Sequence, residues 1–93
     1  MARKTVPFNQ SGAAKLPNDK PVVYKIQTES GKTNYVRVAK RGRVQERIQE
    51  HLDASKIPGA KVQVQQLSSV QDAEKTETRI IARTQPKYND QGK

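Results

Sequence analysis

Glu77 lies in SSVQDAEKTETRIIART, where Val70, Ala73, Ile80 and Ile81 recur as the apolar stripe of a helix. At about 100° per residue Glu77 falls near the middle of that stripe. A carboxylate there has to pair with a cation, bind a metal ion or hold its proton, because burying it alone is costly. A salt bridge to a neighbouring arginine or lysine is the ordinary outcome. RIQEH presents a second arrangement. Arg47 and His51 are one helical turn apart, beside the core positions Val44, Ile48 and Leu52. Two cations at that spacing repel slightly, and together they make a patch suited to a phosphate group. Tyr24 and Tyr35 complete the set, on two strands whose register decides whether they share a face.

The elements that hold these residues follow from periodicity. PVVYKIQTESGKTNYVRVAK alternates as a β-hairpin, with Gly31 in its turn. GRVQERIQEHLDAS is an amphipathic helix, broken by Pro58 and Gly59. KVQVQQL is a third strand and SSVQDAEKTETRIIART a second helix, with Ser68 or Ser69 as its cap and Pro86 beyond its end. The order ββαβα predicts an α/β (α+β) fold: a three-stranded, mainly antiparallel sheet flanked by helices. Residues 1–20 lack apolar periodicity and are expected to be a basic flexible tail, leaving 21–93 as the folded domain.

Composition narrows the function. The 93 residues carry a net charge of +9, which favours polyanions. One Phe and no Trp leave little for a membrane-surface helix, so nucleic acid is the expected partner, and no apolar run is long enough to span a membrane. Without cysteine and with one histidine there is no zinc site. The lack of cysteine fits a reducing compartment, and the expected location is the cytoplasm, at the nucleoid if the source is bacterial. No phosphate-binding glycine loop is present, and KRGR (40–43) reads as a basic loop.

From Pro21 to Asn89 the chain resembles the GIY-YIG nuclease domain of homing endonucleases, some restriction enzymes and the N-terminal nuclease of bacterial nucleotide-excision repair. Its first motif is VVY (22–24) and its second YVR (35–37). Arg47 and His51 match the family's helix pattern, Glu77 its metal-binding glutamate, and PKYN (86–89) its terminal pattern. The chain departs from the family at Val22 and at Arg37, where glycine is usual. An arginine at the second position could distort the strand, block the substrate path or add a phosphate contact.

The resemblance implies a metal-dependent DNA endonuclease, with Glu77 holding Mg2+ (or Mn2+) and Arg47 stabilising the phosphoryl charge. It implies that Tyr24 helps deprotonate water, Tyr35 orients water or phosphate, His51 shares the proton transfer and Asn89 supports the site. Lys25, Arg37, Lys40, Arg41, Arg43 and Lys87 are the expected backbone contacts, with Lys4, Lys15 and Lys20 of the tail in support. Another protein or domain is a candidate source of sequence specificity. Two other readings stand beside this one. One is a nucleic-acid-binding module of the same fold with little or no activity. The other is an interaction domain in which Glu77 pairs with Arg47.

Overall fold

The computed structural model describes residues 3–54 and 59–86. Its elements run β1 (Arg3–Pro7), α1 (Gln10–Ala14), β2 (Val22–Gln27), β3 (Thr33–Ala39), α2 (Val44–Ala54), β4 (Lys61–Gln66) and α3 (Val70–Thr84). The hairpin, the third strand of the sequence reading and both long helices form where periodicity placed them. At the hairpin turn Gly31 adopts φ +95, a conformation that strongly favours glycine. Ser69 caps α3, accepting a hydrogen bond from the Asp72 amide at 3.1 Å.

The sheet has four strands, not three, in the order β1-β4-β2-β3 with every pairing antiparallel. The extra strand comes from the stretch expected to be a tail. Arg3–Pro7 pairs with β4 in continuous register, so the element order is βαββαβα. Val6, Ala13 and Leu16 join the core at no more than 4% exposure. Three apolar residues spread over eleven positions, interrupted by Pro7, leave no period to detect, yet each fills a place beside β4 or α2. Lys4 is tied as well, donating to the Lys15 carbonyl at 3.0 Å.

The sheet has a helix layer on each face. Val22, Tyr24, Ile26, Tyr35, Val62 and Val64 pack with Ala13 of α1, Leu16 just beyond it, and Val44 and Ile48 of α2. On the other face Val23 and Val36 pack with Ala73 and Ile80 of α3. Helix α3 covers β2 and β3. The site therefore forms around β3, the edge strand between α2 on one face and α3 on the other. Among the described residues no helix is long and apolar enough to cross a membrane.

Candidate active site

Register answers the question left open for the tyrosines. Tyr24 pairs with Arg37, and Ile26 with Tyr35, so Tyr24, Tyr35 and Arg37 all lie on the α2 face. The tyrosine rings are 6.1 Å apart, centre to centre. His51 descends from α2 onto both, 4.9 Å from the Tyr35 ring in an edge-on arrangement. The Tyr24 hydroxyl and His51 Nε2 are hydrogen-bonded at 2.7 Å. Either the phenol O–H donates to a bare Nε2 or an Nε2–H donates to the phenol oxygen, depending on the tautomer.

These residues line a cleft of about 360 Å³ that wraps the free edge of β3. Arg37 and Lys40 enter it from β3 and its end, Arg47 and Glu50 from α2, and Glu74 and Glu77 from α3. Glu77 reaches it across the strand edge and accepts a hydrogen bond from the Val38 backbone.

Burial sets the electrostatics. It pushes the Tyr24 phenol far above its ordinary value, with the neighbouring Tyr35 adding to the effect and Arg47 and Arg37 opposing it. Tyr24 therefore keeps its proton at neutral pH. Burial also raises Tyr35, against the pull of Arg37. It lowers His51 below 6.5, with Arg47 and Arg37 acting in the same sense and Glu50 resisting. His51 is thus a neutral imidazole at pH 7. The expected repulsion from Arg47 is relieved in two ways: the histidine is uncharged, and Arg47 pairs with Glu50 at 3.5 Å. Glu77 is half-buried, and burial raises its carboxyl, while Arg37 and the Val38 bond pull it down.

Glu77 takes part in no ion pair among the described residues, whose ion pairs are Arg43–Glu46 and Arg47–Glu50. The interaction-domain reading, in which it pairs with Arg47, is not what forms. Nor does Arg37 distort its strand, since β2–β3 pairing runs through it and shifts only between Ile26 and Gln27. Of the other expected backbone contacts, Lys40 lines the cleft. Lys25 lies on the opposite face of the sheet, alternating with Tyr24, and Arg43 turns to Glu46. Arg41 is exposed in the turn before α2. Asn89 and Lys87 lie outside the described residues.

Sequence reasoning missed three groups. Glu50 stands three residues after Arg47, a spacing that signals a helix ion pair. Glu74 is one turn before Glu77 and lines the same cleft. Asn18 carried no local signal. Its Oδ1 accepts hydrogen bonds from the amides of Val44 at 2.8 Å and Gln45 at 3.3 Å, capping α2 from 26 residues away.

The half-buried Glu77 carboxylate, open to the cleft and without an ion-pair partner, fits a divalent cation as one firm ligand. Among the described residues no three carboxylate, histidine or cysteine groups gather as a metal site. The remaining positions of such an ion would fall to water and phosphate oxygens, the habit of Mg2+.

No protein-family profile matches the sequence, and no curated protein is significantly similar to it. Solved structures are. One is the GIY-YIG N-terminal endonuclease domain of UvrC from Thermotoga maritima, bound to its catalytic divalent cation, magnesium. It superposes with a TM-score of 0.67 at 20% identity, covering 86% of this chain and 94% of that one. A tyrosine-to-phenylalanine mutant of the same domain gives 0.63 at 22% identity, with 80% and 87% coverage. The antiparallel sheet of this chain, with its flanking helices, shares the fold of the GIY-YIG domain.

Proposed function

We propose that this protein is a metal-dependent endonuclease that hydrolyses phosphodiester bonds in DNA. One observation carries the reading. A hydrogen-bonded Tyr24–His51 pair shares a cleft with Arg47 and with a carboxylate, Glu77, that lies outside every ion pair of the described residues. The structural neighbour bound to magnesium supports it.

The chain's residues divide the work. Glu77 would hold the divalent ion, which when bound neutralises phosphate oxygens and the leaving oxygen. Arg47 and Arg37 bind the non-bridging oxygens and stabilise the charge that builds on the phosphoryl group. Tyr24 holds its proton too tightly to act as a base alone. With His51 Nε2 bare, the Tyr24 O–H passes its proton to His51 as the phenol oxygen takes one from the attacking water. The water becomes the nucleophile, the imidazole becomes imidazolium, and the tyrosine ends as it began. Tyr35, edge-on to His51, orients the imidazole and the incoming water. This is general base catalysis through a relay, for which a base neutral at working pH is required.

A second reading rests on Arg37. Its guanidinium enters the cleft where the family usually has glycine and exerts the largest attraction among the charges acting on Glu77. On this reading it repels the metal ion, and the protein binds DNA without cutting it. Cleavage of an end-labelled duplex by wild type and Arg37→Gly, with Mg2+ or chelator, separates the two. Metal-dependent cutting by wild type supports the nuclease. Cutting only by the variant supports the binding module. Cutting by neither, with the metal ion failing to bind, removes both site assignments.

A further inference from the structure

The cleft uses one side of α3. The other side carries Lys75, Arg79 and Arg83, at intervals of four residues and all exposed. At about 100° per residue, Arg79 points roughly opposite to Glu77 around the helix. Like charges four residues apart destabilise a helix slightly, and this row contains two such pairs. On α2 and just before it the cations are offset: Arg43 meets Glu46 at 3.1 Å and Arg47 meets Glu50 at 3.5 Å. On α3 no carboxylate among the described residues forms an ion pair with the row.

A second cavity, of about 410 Å³, opens along this side between α3 and the end of β4. Lys20 faces it with Lys75 and Arg79. One carboxylate also lines it, Asp72, which accepts a hydrogen bond from the Ser68 hydroxyl at 2.8 Å. Between Glu74, on the cleft side, and the cationic row, the helical period places Gln71, Thr78 and Ala82 on a narrow strip that is uncharged and exposed. The Thr78 hydroxyl is turned back onto the Glu74 carbonyl at 3.0 Å.

From this arrangement we infer that α3 lies along a DNA duplex and that Lys75, Arg79 and Arg83, with Lys20, form a second contact to its sugar-phosphate backbone. The inference rests on the DNA-binding part of the proposed function and not on cleavage. The row spans about 12 Å at 1.5 Å per residue, long enough to face several phosphates of a strand that carries one per roughly 3.4 Å. The neutral strip separates the acidic side of the cleft from the row. A helix of about 10–12 Å diameter fits a major groove about 12 Å wide, so one strand meets the cleft and the other meets the cationic row.

The test is binding of a fluorescent duplex in chelator, across a salt series, by wild type and K75Q/R79Q/R83Q. If three phosphate contacts are lost, the slope of log affinity against log salt becomes shallower by about 2–3. Melting should be unchanged or slightly higher, because the like-charge pairs are gone, so a loss of binding cannot be blamed on unfolding. An unchanged slope overturns the inference. So does a variant that keeps its duplex slope while losing affinity for anionic phospholipid vesicles, which would assign the row to a membrane surface. A wild type that never cuts DNA but shows the slope difference fails as a nuclease and keeps this contact.

Discussion

Replacing Asn18 with alanine should destabilise the protein and disturb the site, although Asn18 touches no residue of the cleft in the bonds described. Helix α2 starts at Val44, and the residue before it, Arg43, has no acceptor in its side chain. The first amides of the helix would go unpaired without Asn18 Oδ1, which takes those of Val44 and Gln45. Alanine removes both bonds but leaves the backbone contact in which the Gly42 amide donates to the Asn18 carbonyl at 2.7 Å. Loss of a cap costs about 0.5–2 kcal/mol, and two donors left unmet place this case in the upper part, about 1–2 kcal/mol. For a domain of this size that lowers Tm by roughly 5–10 °C. The assay is thermal and urea denaturation, with an unchanged m-value expected. Asn18→Asp keeps the acceptor and adds a negative charge at a helix N-terminus, so it should match or exceed wild type. Asn18→Ala should also shift the NMR signal of His51, the chain's one histidine, because α2 carries it. A Tm within about 1 °C of wild type, well short of the loss expected of a cap, would refute the reasoning. Asn18→Asp as damaging as alanine would refute it equally.

Other outcomes follow from the cleft. The His51 imidazole should titrate below 6.5 by NMR, and Arg47→Gln should raise its pKa, since Arg47 is among the charges that lower it. Because the folded protein then binds fewer protons at His51 than the unfolded chain, its contribution to stability should fall as pH drops below 6.5. Tyr24→Phe should slow cleavage about 10²–10⁴-fold by breaking the relay, and cost about 1 kcal/mol in denaturant for the lost hydrogen bond. Glu77→Gln should leave Tm at pH 7 equal to wild type or higher. The raised carboxyl means that stability is lost as pH rises above 4.5 through the folded value, and glutamine removes that loss, so any gain should vanish below pH 4.5.

Much of the fold and the cleft was legible because it rests on local periodicity. Val22, Tyr24 and Ile26 alternate, Val44 and Ile48 recur at a helical step, and each element formed where the pattern placed it. Glu77 stood out because a carboxylate sat on an apolar stripe, and the structure gives the reason: α3 crosses the edge of β3, where the Val38 backbone offers a donor. What sequence did not reveal depends on partners far along the chain. Strand β1 has meaning only beside β4, some 60 residues on, with Lys4 opposite Val64 and Val6 opposite Val62. Asn18 is a cap only because tertiary packing brings α2 to it. The neutral state of His51 likewise required knowing that Tyr24 and Tyr35 share a face, which strand register decides.

The most direct test of the account is nicking of supercoiled plasmid by the purified protein with Mg2+, Mn2+ or chelator, beside Glu77→Ala. The account predicts nicking that needs the metal ion and disappears in the variant while its fold and DNA binding persist. Nicking by Glu77→Ala at the wild-type rate would contradict it.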